Sequence, residues 1–191
     1  FRQTGVLYLA KTEREIEGFE AWTEHSRAHQ LDTRLLTAGE TMAMLKGAVA
    51  SWKGGLLTAS DARAEPWVAV PALAAVAEEK GVVIREACAV AGVVTEAGRV
   101  SCDHVVLAAG AWSRLFLERH GVSIPQLSVL ASVAATEPMP EIFPGNAADD
   151  DFAFRRRADG GYSIAPGGEH DFFIGRGAFA SLKHYLAILR K

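Results

Sequence analysis

Apolar and polar positions in the first 80 residues switch repeatedly between strand spacing and helical spacing. Runs rich in β-forming side chains predict strands at residues 4–10, 35–36 and 52–58, the last entered through a glycine-bearing turn. Helices are predicted at residues 13–28, from Thr37 or Gly39 to 45, and at 66–79, the first and third with an apolar stripe. This alternation predicts a mixed α/β fold.

The predicted helices carry recognisable end signals. Thr12 and Glu15 have the spacing of a capping box, in which each side chain accepts a hydrogen bond from the other residue's backbone N–H. Pro66 suits the first turn of the third helix, and Gly81 suits its C-cap. The apolar residues of that helix that share one face, and that we expect to be buried, are Val70, Leu73, Ala74 and Ala77.

After residue 81 the spacing becomes that of strands. Short apolar runs predict strands at residues 82–84, 89–90, 93–94 and near residue 100, with a turn at residues 96–98. Val105–Leu107 is an apolar run typical of a fully buried strand in a parallel sheet. Ala108, Ala109 and Gly110 then leave almost no side-chain bulk before a helix predicted at residues 112–119.

A strand that ends in tiny residues and leads into a helix points free backbone N–H groups at whatever lies beyond it. The helix dipole favours an anion such as a phosphate at that place. Strands also end in Ala-Gly for packing reasons alone. Taken by themselves, residues 108–110 therefore favour a phosphate contact and simple packing about equally.

The pattern in the last third of the chain predicts mainly antiparallel strands. Residues 127–132 alternate and predict a long half-buried strand, and residues 138–145 are broken by proline into an exposed loop. The acidic run Asp149–Asp151 predicts a solvated turn. Aromatic and aliphatic residues predict three strands beginning near residues 152, 162 and 172, followed by a helix over residues 178–189.

The composition of the chain argues against a nucleic-acid-binding protein, a membrane-spanning protein and a zinc protein. The 191 residues are 49% apolar and 23% charged, as in a globular protein, and a net charge of −3 with interspersed signs argues against nucleic acid. No apolar run approaches the roughly 18 residues of a membrane span. The cationic cluster Arg155–Arg157 is interpreted as a solvated strand end. Neither Cys88 and Cys102 nor the pair His25 and His29 has the further ligands of a zinc site, so no metal is predicted.

Four short motifs occur in a characteristic order between residues 65 and 127. They are Glu65-Pro66 with Leu73, the stretch from Gly81 to Val90, Gly98 with Asp103, and the run Val105–Ser113. In this order they resemble the flavin-dependent D-amino acid oxidase family, which includes glycine and sarcosine oxidases and D-amino acid dehydrogenases. More loosely, residues 5–10 resemble the strand that enters the family's substrate domain, and residues 152–174 resemble its strands near the flavin ring, with Phe152 and Phe154 where Tyr would often be expected.

This resemblance implies a partial FAD-binding, Rossmann-like portion beside an antiparallel substrate-domain sheet with flanking helices. It implies FAD as the cofactor and a small amine or amino acid as the substrate, whose C–N bond is oxidised by hydride transfer to flavin N5 before the imine hydrolyses. The residues implied to contact FAD are Val90, Ala108, Ala109, Gly110 and Trp112. The candidates for substrate contact are Arg155, whose guanidinium fork suits a carboxylate, and Tyr162.

The expected domain bounds follow from the same resemblance. Residues 1–58 would hold a substrate-domain strand and helices, residues 59–125 the FAD-binding portion, and residues 126–191 the antiparallel substrate-domain portion. The N-terminal strand and helix could belong to either region.

Two parts of the family pattern are missing from this sequence: the first G-x-G-x-x-G, which binds the FAD pyrophosphate, and the C-terminal glycine-rich segment that closes over the flavin. The chain also opens at Phe1 in what reads as mid-strand. We therefore expect a fragment or processed product in which FAD binding is weak or lost. We expect it to be cytoplasmic, with a possible partner subunit or second copy. The alternatives are a related flavoprotein dehydrogenase of a 2-hydroxy acid or glycerol phosphate, and a catalytically inactive remnant or subunit.

Overall fold

The computed structural model of the protein describes residues 1–88, 94–95, 98–99, 101–126, 128–167 and 179. The strands among them are β1 (Arg2–Gln3), β2 (Val6–Ala10), β3 (Thr33–Thr37), β4 (Gly54–Thr58), β5 (Ala62–Arg63), β6 (Val94–Thr95), β7 (Gly98–Arg99), β8 (Ala134–Ala135), β9 (Asn146–Ala148), β10 (Phe152–Arg156) and β11 (Tyr162–Pro166). The helices are α1 (Glu13–Ala28), α2 (Ala38–Met44), α3 (Pro66–Glu79) and α4 (Ser113–Glu118), and a 3₁₀ turn at Gly110–Trp112 precedes α4.

The chain divides into two compact units. Unit 1 comprises Phe1–Val76 and Ala131–Glu169, and unit 2 comprises Ala77–Leu130 and His170–Lys191. The domain bounds expected from the sequence, at residues 58 and 125, stay a prediction.

Unit 1 is built on one mixed sheet. Among the described residues its strand order is β3-β4-β2-β9-β10-β11-β8, and every neighbouring pair is antiparallel except the parallel pair β2 and β9. Because β2 pairs with β9, the N-terminal strand shares a sheet with the antiparallel strands from the last third of the chain. The structure thus confirms a mixed α/β fold with a mostly antiparallel sheet and flanking helices.

Helices α1 and α2 cover opposite faces of this sheet, and two glycines of β4 allow both helices to pack closely against it. A side chain at Gly54 would lie 2.7 Å from Ile16 Cδ1 of α1, and one at Gly55 would lie 3.1 Å from Thr41 Oγ1 of α2. Successive strand residues point to opposite faces. The helices can therefore approach the sheet closely only because neither position carries a side chain.

The buried core lies on the α2 face of the sheet. Leu7 and Leu9 of β2 point into it, whereas Val6 and Tyr8 point to the other face, as strand alternation requires. The buried residues that complete the core are Leu36, Leu45, Trp52, Leu57, Phe143 and Ala147. Trp52 and Phe143 come from loops, so this core also fixes the loops that border the sheet.

The predicted helix ends are confirmed. Thr12 and Glu15 form the predicted capping box at α1, and Thr37 with Glu40 forms a second one at α2. Gly81 adopts a φ of +88°, and the next residue's N–H donates to the carbonyl of Ala77, which closes the end of α3 as a glycine C-cap does.

Three predicted strands are wrong. Within the described residues, 82–84 and 105–107 form no strand, and Val106 is 90% exposed. A buried parallel strand needs a paired neighbour on each side and two covered faces, and the described chain offers this run neither. Of the strand predicted at residues 127–132, the described residues 128–132 form no strand, Val129 and Leu130 are exposed, and the two-residue strand β8 begins only at Ala134.

Helix α3 forms where the sequence predicts it, but its predicted buried stripe is wrong. Val70 and Leu73 are exposed, Leu73 by 70%, and no residue of α3 is buried. The helix forms from local signals, whereas burial needs a partner surface, and none of the described residues covers this one.

Some predictions lie outside the described residues. They are Val90, Leu127, the strand near residue 172 and most of the helix at residues 178–189. The predicted turn at residues 96–98 falls mostly on residues outside the described ones as well, and β6 and β7 on either side of it pair in antiparallel register with Val94 opposite Arg99. Within the described part of the chain, no helix is long and apolar enough to cross a membrane.

Candidate functional site

The predicted FAD-contacting turn lies in unit 2. Gly110 begins the 3₁₀ turn with a φ of +54°, and Trp112 donates its backbone N–H to the carbonyl of Ala109 over 3.1 Å. Apart from Gly110 and its two chain neighbours, no atom of the described residues lies within 4 Å of where a side chain on Gly110 would begin. Ala108 and Trp112 are exposed as well. This turn is therefore an open backbone edge with little side-chain bulk.

The Gln126 side chain joins this turn to the beginning of α4 through two hydrogen bonds. Its Nε2 donates to the carbonyl of Gly110 at 2.8 Å, and its Oε1 accepts from the N–H of Arg114 at 3.1 Å. The Ser128 hydroxyl donates to the carbonyl of Ala111 at 3.4 Å. The turn is thus held by side chains that follow α4 in the chain, and its residues Ala108, Gly110 and Trp112 remain exposed.

A second feature, in unit 1, is a cavity of about 300 Å³ on the core face of the sheet. We call it the aromatic cavity and define it by Trp52, Met139, Phe152, Phe154, Tyr162 and Ile164. The Phe152 and Phe154 rings stack with centroids 6.2 Å apart, and the edge of Tyr162 meets Phe154 at 5.6 Å. Such a wall suits an apolar or aromatic group.

A buried carboxylate stands beside this cavity. Asp149 lies in the turn between β9 and β10, and its side chain is 0% exposed. Its Oδ2 pairs with Lys11 Nζ at 2.9 Å and accepts from the Trp52 indole N–H at 3.1 Å. Its Oδ1 accepts from the backbone N–H groups of Asp151 and Phe152 at 2.9 and 3.0 Å. The sequence-based interpretation of this acidic run as solvated is therefore wrong for Asp149.

The charges around Asp149 shift two pKa values. Burial of the Asp149 carboxylate opposes its ionisation, but the hydrogen bond from Lys11 and those from Phe152, Trp52 and Asp151 outweigh burial and lower its pKa. Hydrogen bonds to Asp151 and then to Asp149 raise the pKa of Lys11 to about 12. Both groups are therefore charged at neutral pH.

The predicted substrate residues Arg155 and Tyr162 are not brought together. Arg155 pairs in register with Ser163, so it points to the face of the sheet opposite Tyr162. Its Nη1 donates to the carbonyl of Ala64 at 2.6 Å, and its Nη2 pairs with Glu65 at 3.3 Å. Arg155 also lines a shallow cavity of about 360 Å³ on the open face, together with Tyr8.

The neighbouring arginines are also engaged within the chain. Arg156 pairs with Glu141 at 2.9 Å, and Arg157 pairs with Asp159 and donates to the carbonyls of Thr136 and Tyr162. The interpretation of the three-arginine cluster as a solvated strand end is therefore wrong, because each arginine has partners within the chain and only 18–27% of its side chain is exposed.

Tyr162 forms part of the aromatic wall but its hydroxyl is used inside the fold. The side chain is 1% exposed. The hydroxyl accepts from the backbone N–H groups of Ile142 and Phe143, at 2.9 and 3.3 Å, and donates to the carbonyl of Phe143 at 3.1 Å. Tyr162 can therefore offer a ligand its ring but not a free hydroxyl.

Comparison with known proteins identifies the family. The sequence profile of the FAD dependent oxidoreductase family, DAO, matches residues 1–191. The chain belongs to this family.

Individual DAO relatives are similar over different spans. The 4-methylaminobutanoate oxidase (formaldehyde-forming) of Paenarthrobacter nicotinovorans is 31% identical over 136 residues, which is 65% of this chain and 16% of that protein. The L-amino acid deaminase of Proteus myxofaciens, solved in complex with anthranilate, is 28% identical, with a TM-score of 0.89 over 98% of this chain and 45% of that one. The glycine oxidase of Geobacillus kaustophilus, 20% identical with a TM-score of 0.73, shares the fold. The match covers 97% of this chain and 54% of the glycine oxidase.

This chain spans about half the length of the solved DAO structures that it matches. Its described residues fit FAD as one edge of a larger site. The open turn at Ala108–Gly110 lets a large ligand approach the backbone, as the adenosine and pyrophosphate portion of FAD requires. Of the other two predicted contacts, Trp112 is exposed at the end of the turn, and Val90 lies outside the described residues.

Sequence reasoning missed Asp149, Trp52 and Lys11. The only local signal was the position of Asp149 at the start of a hairpin turn, where an aspartate carboxylate commonly accepts from backbone N–H groups two and three residues further on. Trp52 lies 97 positions away from Asp149, and no spacing rule connects them. Among the described residues, no group of three or more His, Cys, Asp or Glu side chains is placed to hold a metal ion.

Proposed function

We propose that this chain is part of an FAD-dependent oxidoreductase that oxidises the C–N bond of an amine or amino acid. The observation that carries the proposal is the match to the L-amino acid deaminase of Proteus myxofaciens, which extends over 98% of the chain with a TM-score of 0.89. The similarity to 4-methylaminobutanoate oxidase supports the same class of substrate. Family membership makes FAD the cofactor.

The turn in unit 2 would hold part of the cofactor. We assign contacts with the adenosine and pyrophosphate portion of FAD to Val90, Ala108, Ala109, Gly110 and Trp112. Their role is shape and close backbone approach, with no acid or base of their own. When bound, FAD supplies the acceptor for the hydride that leaves the substrate carbon.

The aromatic cavity would hold the apolar part of the substrate. Its wall of Trp52, Phe152 and Phe154 is apolar, and the related deaminase was solved with anthranilate, which is 2-aminobenzoate and carries an aromatic ring. Arg155 as a carboxylate ligand stays a prediction. Its guanidinium points to the face of the sheet opposite the aromatic cavity, so it could bind only a substrate on that opposite face, after displacing the 3.3 Å pair with Glu65.

The test is cofactor uptake followed by a substrate screen. We expect the whole protein to which this chain belongs to take up FAD, seen as flavin absorbance that stays with the protein on a desalting column, and this chain alone to take it up weakly or not at all. We expect the loaded protein to oxidise at least one compound from a panel of D- and L-amino acids, glycine, sarcosine and N-methylated amines, measured as imine-derived carbonyl product. A folded protein that takes up FAD but oxidises only 2-hydroxy acids or glycerol phosphate would contradict amine oxidation.

Failure to take up FAD by a folded protein would contradict an autonomous flavin site in this chain. In that case, addition of a separately expressed G-x-G-x-x-G-containing segment from a DAO relative should restore uptake if the chain contributes one edge of the site. A cytoplasmic location and association with a partner subunit or second copy stay predictions.

A further inference from the structure

The Asp149 carboxylate is tied to two walls of the aromatic cavity at once. One oxygen accepts from the indole N–H of Trp52, and the other accepts from the backbone N–H of Phe152. Trp52 comes from the loop before β4, whereas Phe152 is the first residue of β10. A single buried side chain therefore links the Trp52 ring to the backbone that carries Phe152, although the two residues come from distant parts of the chain.

The negative charge of Asp149 strengthens its hydrogen bonds with Trp52 and Phe152. A hydrogen bond with a charged partner is about twice as strong as a neutral one. Lys11 Nζ lies 2.9 Å from the carboxylate and 6.0 Å from the centre of the Phe152 ring, so the cation neutralises the buried charge on the side of the cavity wall. An indole N–H in a buried site needs an acceptor, and Trp52 is only 6% exposed.

Without the carboxylate, the Trp52 ring would lose the contact that selects its orientation. A Trp side chain that leaves its acceptor unpaired must turn towards another acceptor or towards solvent. Either movement changes the shape of the aromatic cavity, because Trp52 lines it. The backbone at Phe152 would lose its anchor in the same step.

We propose that Asp149 is a positioning residue that orients Trp52 and Phe152 and so determines the fit of substrates with aromatic or bulky apolar side chains. This inference rests on the proposed function, in which the aromatic cavity receives the apolar part of the substrate. Small substrates such as glycine or sarcosine would not reach the wall that Asp149 holds, so they should be insensitive to it.

The experiment uses two variants and their combination in the FAD-loaded protein. Asp149→Asn keeps the size of the side chain but removes its charge, and Trp52→Phe keeps a ring but removes the N–H. The first readout is calorimetric binding of anthranilate, which needs no turnover. The second is the separation of KM from kcat for an aromatic amino acid and for a small one.

We expect each variant to bind anthranilate about tenfold more weakly, the effect of losing one hydrogen bond to a charged group. KM for the aromatic substrate should rise with little change in kcat, and the small substrate should be nearly unaffected. The double variant should be no worse than the poorer single variant, because both changes break the same link. Glu13→Gln is the matched control, since it breaks the exposed pair with Lys53, next to Trp52, and should change nothing.

Unchanged anthranilate binding in Asp149→Asn, or effects that add fully in the double variant, would overturn the proposal. If Asp149→Asn does not fold, unchanged binding in Trp52→Phe would overturn it equally. A wild-type protein that fails to bind anthranilate would refute the substrate role of the aromatic cavity, and this proposal with it. Binding of anthranilate without oxidation of any amine would instead contradict only the proposed reaction, and the binding comparison among variants would still decide the role of Asp149.

Discussion

The buried Tyr162 hydroxyl of unit 1 stabilises the fold through hydrogen bonds that all involve one oxygen atom. It joins β11 to the loop at Ile142 and Phe143 through three hydrogen bonds. Tyr162→Phe would leave those backbone groups without their partner, so we expect a loss of about 1–3 kcal/mol in the free energy of unfolding in urea. Tyr8→Phe, at a half-exposed ring on the other face, is the control and should have little effect. Equal stability of the two variants would contradict this role.

At the same scale, Gly110 is required by its backbone conformation. Its φ of +54° is unfavourable for a residue with a Cβ, although there is open space around it. Gly110→Ala should therefore strain the turn by about 1 kcal/mol and weaken FAD uptake about fivefold, measured by flavin titration. Gly39→Ala is the matched control, because Gly39 has an ordinary helical φ and open space in α2. Equal FAD affinity of both variants would argue against a role for the turn in cofactor binding.

Asp149 also makes a specific prediction about pH. Its pKa is lowered in the fold from the ordinary value of 3.8, so its contribution to stability is complete above that pH and is lost as the pH falls towards the folded pKa. We expect the stability difference between wild type and Asp149→Asn to be constant from pH 7 to about pH 5 and to shrink below about pH 4. Urea unfolding at each pH measures it. A difference that grows on acidification would contradict the pairing.

At the scale of elements, the helix caps make a separate prediction. The Thr37 hydroxyl accepts from the N–H of Glu40 at 3.3 Å, and the Glu40 carboxylate accepts from the N–H of Thr37 at 2.8 Å. Thr37→Ala should lower the free energy of unfolding by about 1 kcal/mol. Thr23→Ala, inside α1, should be close to neutral because its hydroxyl only bonds back to the carbonyl of Glu20. A Thr37→Ala variant as stable as Thr23→Ala would show that α2 is held by packing alone.

Elements whose signals are local were predictable, and elements that depend on a neighbour were not. The β-forming residues of β2 are adjacent in the chain, and the two residues of the α1 capping box are three positions apart, so the sequence suffices to predict both. Val105–Leu107 has an equally clear apolar pattern but forms no strand among the described residues. A strand is stabilised by hydrogen bonds to another segment, and a pattern within one segment cannot show whether that segment is present.

At the scale of the whole molecule, the two units should differ in local stability. Unit 1 contains the seven-stranded sheet and the buried core among the described residues, whereas several apolar residues of unit 2, including Val83 and Val106, are exposed. Segments with few buried apolar contacts open most easily. We expect hydrogen exchange, followed by mass spectrometry, to be slow in β2, β4 and β10 and fast over residues 101–109. Equal protection of the two regions would contradict this difference.

The sequence by itself determined the family, the described helices and the five-residue strands of unit 1. Ordered motifs around Glu65-Pro66 and Val105–Ser113 carried the resemblance, and the match to the DAO family confirms it. The open turn at Ala108–Gly110 was likewise visible in the sequence, because small residues that permit close backbone approach are a local property. Its contact with FAD stays a prediction.

Only the tertiary structure decided which side chains meet. It placed Asp149 beside Trp52 across 97 positions of sequence, and it joined Arg155 to Glu65 across 90. Contacts of this kind arise when sheet order and loop packing bring distant segments together, and they leave no periodic pattern in the chain. For that reason a run of three aspartates that looks solvated in the sequence contains a buried, ionised carboxylate at the edge of the aromatic cavity.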